Sequence, residues 1–236
     1  MSSLTPMTDV FRLPSAAAEK TFEITVADPL PGTDSGPPRL FYVMDPKYNI
    51  GPAIDLVRAM NQNGDIAPLL VVGVGTPLDT HREYVGYTMQ TRNGLLVPPE
   101  EGVNDGIMGS LPDQPAPEAH RFLRFISEEL DPLLRSRYTV SAKPAGIFGH
   151  SYGGLFGAYA LLEQASTFDS FILSSTGMLG DRPTLQRALN APAGSLKGRV
   201  FLGLGEYEDA YAKPYTGQLG VTWHRLCESL SPARHP

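Results

Sequence analysis

Ala145-Gly146-Ile147-Phe148-Gly149-His150-Ser151-Tyr152-Gly153 passes from a short apolar run into a pattern of small and apolar residues that continues at helical spacing to Leu162. Such a run-in predicts a buried strand, a sharp turn and a helix, with Ser151 at the turn. It reads as a nucleophile elbow, in which a strained backbone pushes the serine hydroxyl out above the sheet. Glycines stand two residues before and two after the serine because side chains there collide with the turn. The strand on one side and the helix on the other are the context that gives a five-residue pattern its meaning.

Working outward, Phe171 to Leu173 and Val200 to Leu202 read as strands after the elbow, and Thr21 to Val26, Leu40 to Met44 and Pro68 to Val74 as strands before it. Between them, Ile54, Val57 and Met60 fall at helical spacing in a helix over Ile50 to Met60, with Gly64 as its stop. A second helix opens at Pro117-Glu118, carries Phe122, Phe125, Ile126 and Leu130, and is kinked or ended by Pro132. Strands alternating with helices predict an α/β fold: a mostly parallel, doubly wound sheet with helices on both faces and the site at the strand carboxyl ends. The chain is expected to form a single domain over 1–236, with an N-terminal extension over 1–20 and a loop from Asp28 to Pro38. A long, proline-rich surface excursion is expected over 75–117. Too few residues separate the last two strands for a cap domain.

Composition narrows the function. With 236 residues, 42% of them hydrophobic, the chain can bury a sizeable core. A net charge of -6, with no basic stripe beyond Arg121, Arg124, Arg135 and Arg137, argues against nucleic acid or an anionic membrane as partner. The single cysteine, Cys227, excludes an internal disulfide, and the expected compartment is the reducing cytoplasm. No apolar run approaches membrane-spanning length, and the N-terminal residues lack the basic and apolar regions of a signal peptide. His81, His120, His150, His224 and His235 never reach metal-ligand spacing, so no metal is expected. Gly73-Val74-Gly75 lacks the third glycine of a dinucleotide loop, so no cofactor is expected either; the partner is a small-molecule substrate.

The segments LFYVMDPKYN, PLLVVGVG, FLRFISEELDPLL, GIFGHSYGGLFGAYALL, FDSFILSST and RVFLGLGEYED resemble, in order, the esterase branch of the α/β-hydrolase superfamily. That branch includes siderophore (enterochelin-type) esterases, feruloyl and acetyl-xylan esterases and S-formylglutathione hydrolases. The resemblance implies the α/β-hydrolase fold and a serine carboxylesterase acting on small or medium esters through an acyl-enzyme on Ser151. A siderophore-lactone or feruloyl esterase is the refinement within it. Tyr84, Tyr87 and Arg92 are candidates for a basic, aromatic-lined cleft that would suit catecholate substrates. A catalytically impaired relative that binds a ligand through the same cleft is the alternative.

Site residues follow from the same resemblance. Tyr152 N–H, at the start of the helix, is one expected oxyanion donor. The second belongs to the loop after Met44; Pro46 has no N–H, which leaves Lys47 or Tyr48, with Lys47 preferred. The family's acid commonly lies three residues after a glycine, which here is Glu208; Glu206 and Asp209 are the alternatives. The base is expected on a loop after a final strand, but Ser231-Pro232-Ala233-Arg234 is too short and proline-bound to supply that strand. The sequence is therefore read as a relative shortened at its C-terminus. His235 follows Glu208 in the required order and is the candidate base, ahead of His224 on the expected helix over Gln218 to Leu230.

Overall fold

The computed structural model describes residues 7–31, 36–77, 91–102, 115–176, 183–192 and 194–205. Among them, seven strands share one sheet: β1 Met7–Ser15, β2 Lys20–Asp28, β3 Arg39–Met44, β4 Leu69–Gly75, β5 Ala145–His150, β6 Phe168–Ser174 and β7 Arg199–Gly203. Their spatial order is β1-β2-β4-β3-β5-β6-β7. The β1–β2 and β2–β4 pairings are antiparallel; the remaining four are parallel. Each parallel pairing requires a crossover, and helices supply them. They are α1 Pro46–Gln62, α2 Ala119–Arg124, α3 Asp131–Arg137, α4 Tyr152–Leu162 and α5 Pro183–Asn190.

Alternation along the strands divides the core between the two faces of the sheet. Leu40, Tyr42 and Met44 of β3 and Ala145 and Ile147 of β5 face one side, where they meet Phe122, Phe125 and Ile126 and the whole of α4. Val43 of β3, Val71 of β4 and Ala27 of β2 face the other, where Val57 of α1 and the half-buried Ile50, Ala53 and Ile54 cover them. Helix α4 is buried all round from Tyr152 to Leu161, which explains why its residues are apolar or glycine on every side rather than in one stripe.

Three expectations change. Residues 7–15 are not part of an N-terminal extension: they pair along their whole length with β2 as an edge strand. Exposed Met7 and Val10 disguise the strand by breaking the usual alternation of an edge facing water on one side. The stretch 75–117 is not wholly on the surface either. Its residues 91–96 are helical, and Leu95, Leu96 and Val97 enter the main core with 4 to 5% or less of their surface exposed. Finally, of the two effects expected of Pro132, kinking or ending its helix, the second is not seen: the helix continues to Arg137. Phe125–Leu130 adopts π-helical geometry between α2 and α3, and the wider turn accommodates a ring that would otherwise strike a preceding carbonyl.

From β3 the chain passes to β4 on one side and then returns to β5 on the other, so the strand order reverses between β3 and β5. In open α/β sheets that reversal leaves a crevice at the strand carboxyl ends, where ligands bind. Here those ends are Met44, leading into Asp45, and His150, leading into Ser151.

Candidate active site

Ser151 occupies the single residue between β5 and α4, with φ 57° and ψ −117°. This is a region that L-residues avoid, and holding a non-glycine there costs about 1–3 kcal/mol. Two hydrogen bonds keep it in place. Ser151 N–H donates to Ser174 O at the end of β6 (3.0 Å), and Ser151 O accepts from Leu155 N–H (2.9 Å), the first i→i−4 bond of α4.

The glycines around it are required by contact. A Cβ on Gly149 would overlap the carbonyl of Gly153 outright and lie 2.7 Å from Gly154 N. A Cβ on Gly153 would stand 3.0 Å from Met44 Cβ and 3.3 Å from a carboxylate oxygen of Asp45. Thus the elbow closes on itself, and its helical side is packed directly against the end of β3.

His150, beside the serine, is exposed, and its Nδ1 lies 3.3 Å from Ser174 Oγ. Tyr152 begins α4 and is 6% exposed. Its N–H precedes the first i→i−4 bond and points to the end of the helix where the dipole favours negative charge.

Across the crevice, α1 begins with Pro46 and then Lys47. Tyr48 N–H donates to Asp45 O (3.0 Å), closing the first turn of α1, so of the two expected second donors it is Lys47 whose N–H precedes the helical bonds. The Lys47 ammonium is turned away to Glu23 (2.7 Å). Glu208 and His235 lie outside the described residues, as do Glu206, Asp209, His224, Tyr84 and Tyr87.

Asp45 is the residue that sequence reading passes over. It has φ 52° and ψ 56°, is 4% exposed, and accepts two hydrogen bonds from Arg92, Nε to Oδ1 at 2.8 Å and Nη2 to Oδ2 at 2.9 Å. Burial pushes its carboxyl pKa above the usual range, against the opposing pull of Arg92 and of His150. The Arg92 guanidinium also sits 5.2 Å from the centre of the Tyr152 ring, a cation–π distance. An aspartate immediately after an apolar strand and before a proline that opens a helix was the available signal. It suggests an N-cap, but the Asp45 side chain makes no capping bond to α1.

Known proteins resemble this chain in sequence and in fold. The sequence profile of the family described as "Putative esterase" matches residues 100–219, half of the chain. Ferri-bacillibactin esterase BesA of Bacillus subtilis (strain 168) is 28% identical over 186 residues, covering 75% of this chain and 61% of its own length. A siderophore enterobactin esterase of Emericella nidulans is 42% identical over 67 residues, 26% of this chain and 22% of that protein. The chain therefore spans less than two thirds of the length of these curated relatives. Among solved structures, siderophore hydrolase EstA from Aspergillus nidulans superposes with a TM-score of 0.72 at 21% identity, over 94% of this chain and 76% of that one.

Proposed function

Since the chain belongs to the putative-esterase family and has the α/β-hydrolase fold, we propose that it is a serine carboxylesterase working through an acyl-enzyme on Ser151. The observation that carries this reading is the strained Ser151 at the β5–α4 junction, beside the strand-order reversal. Ser151 Oγ attacks the ester carbonyl carbon while His235 takes its proton and Glu208 orients the imidazole. The negative charge that develops on the carbonyl oxygen is received by the N–H groups of Tyr152 and Lys47. Collapse expels the alcohol with a proton from the histidine, and water then hydrolyses the acyl-serine by the same steps in reverse. No cofactor or metal enters this chemistry.

The names of the relatives support a siderophore ester as the substrate class, ahead of a feruloyl ester. No helix among the described residues is long and apolar enough to cross a membrane, and with its lone Cys227 we assign the protein to the cytoplasm. Subcellular fractionation tests that assignment.

The activity is tested by fluorophosphonate labelling and by a panel of aliphatic, feruloyl and catecholate esters run on wild type and Ser151→Ala. The expected result is labelling at Ser151, turnover lost in Ser151→Ala, and preference for the catecholate lactone. A folded wild type that neither labels nor turns over any ester would overturn the esterase reading in favour of a binding protein built on the same fold. Equal rates across the panel would remove the siderophore assignment alone.

A further inference from the structure

The two oxyanion donors assigned above come from opposite sides of the crevice, Lys47 from the β3–α1 turn and Tyr152 from the first turn of α4. Their separation depends on how that turn is held against that helix. We propose that the Asp45–Arg92 ion pair is the positioning device that sets this separation, and that Arg92 is committed to it rather than to binding an anionic substrate; the proposal rests on the esterase reading.

Several features converge on this pair. Asp45 adopts a left-handed conformation although it is not glycine and precedes a proline, a combination the backbone disfavours and the surroundings must impose. Its main chain anchors the start of α1, since Asp45 O accepts the N–H groups of both Tyr48 (3.0 Å) and Asn49 (3.2 Å). The Asn49 side chain closes the same turn by donating to Met44 O (2.9 Å). The Asp45 side chain, 3% exposed, forgoes the N-cap role that an aspartate here ordinarily takes. Both carboxylate oxygens go to Arg92 instead, in a bidentate geometry that fixes direction as well as distance.

Arg92 then completes the bridge. Its Nε–Nη2 edge is occupied by Asp45, its plane lies by the Tyr152 ring, and its side chain is 16% exposed. One residue therefore touches both the loop that carries Lys47 and the side chain of Tyr152, whose backbone N–H is the other donor. Asp45 Oδ2 also lies 3.3 Å from where a Gly153 Cβ would be, so the carboxylate fills the space against α4. An arginine intended for a substrate anion would keep its forked edge open to the crevice.

The test is a double-mutant cycle with Asp45→Asn, Arg92→Met and the combined variant. The readouts are the second-order rate of fluorophosphonate labelling, and kcat and KM on neutral p-nitrophenyl acetate and on a p-nitrophenyl ester with an anionic acyl chain. Removing one partner leaves a buried charge uncompensated and can unfold the protein, whereas the combined variant is neutral; Arg92→Lys keeps the charge and loses the bidentate fork. The expected result is a 10- to 100-fold loss of labelling rate and kcat in each folded single variant, with KM within twofold of wild type. The combined variant should be no slower than the worse single one, and Arg92→Lys should recover less than a tenth of the wild-type rate despite a wild-type melting temperature.

Three outcomes overturn the proposal: neutral-ester kcat within twofold of wild type in the folded variants, losses that multiply in the combined variant, or an Arg92→Met effect confined to KM for an anionic ester. The last would make Arg92 a substrate receptor. Failure of the esterase reading itself shows differently, as a wild type that does not label at all.

Discussion

Replacing Gly149 by alanine is the sharpest perturbation the elbow offers. The added Cβ overlaps the Gly153 carbonyl and stands 2.7 Å from Gly154 N, whereas non-bonded contacts of carbon settle near ~3.5 Å. Relief therefore requires a backbone shift of at least about 1 Å between the end of β5 and the first turn of α4. Neither side is free to move, because α4 is buried from Tyr152 to Leu161 and Ser151 N–H is tied to Ser174 O. Overpacking of this kind costs about 3 kcal/mol, which in a chain of this length lowers Tm by roughly 6–12 °C. Ser151 lies between the clashing atoms and moves with them, and a misplacement near ~1 Å in a catalytic constellation reduces rate about 100-fold, or about 2.7 kcal/mol in the barrier. Calorimetry and fluorophosphonate labelling measure the two effects on one sample. Gly51→Ala is the internal control: this exposed residue within α1 meets nothing within 4 Å, so the substitution should stabilise by about 0.5–1 kcal/mol. Gly149→Ala with Tm within 2 °C (about 1 kcal/mol) and a labelling rate within about twofold of wild type would refute the steric account of the elbow.

Strain at Ser151 makes a second prediction. Ser151→Gly should raise stability by about 1 kcal/mol, the relief of the backbone conformation less the entropy of glycine, while abolishing labelling; a lower Tm in denaturation scans would contradict it. Tyr42→Phe removes the buried hydrogen bond from Tyr42 Oη to Asp131 Oδ1 (3.0 Å) and should cost about 1–2 kcal/mol in urea unfolding, with esterase activity retained. Burial, with Asp9 accepting from the phenol, raises Tyr138 to about 12, and burial with the charges of Glu163 and Glu100 does the same for Tyr159. Because the folded state holds these protons more tightly, their contribution to stability is complete below about pH 10 and is lost as pH rises through about 12. Absorbance at 295 nm should show the late steps disappear in Tyr138→Phe and Tyr159→Phe. Glu208→Gln should lower turnover by about 100-fold or more, and Glu206→Gln and Asp209→Asn by much less; equal losses would indicate disruption of the loop instead.

What was legible in the sequence is what neighbouring residues settle among themselves. A continuous apolar run and a period of 3.6 are both properties of a short window, so Leu40 to Met44 and Pro68 to Val74 declared their strands, and the stretch around Val57 its helix, without outside help. The elbow was legible for the same reason: Gly149, Ser151 and Gly153 clash or fit within five residues of one another. Tertiary structure decided what depends on distant partners. Residues 7–15 become a strand only because β2 offers an edge, and Leu95 to Val97 are buried only because the core has room for them between prolines and glycines that signal a loop. Asp45 and Arg92 are 47 positions apart, and an aspartate that caps a helix looks the same in sequence as one that grips an arginine. Local sterics are written into local sequence; which charge ends up facing which is fixed only when the crossovers of the sheet bring β3 and the segment at 91–96 to the same end of the crevice.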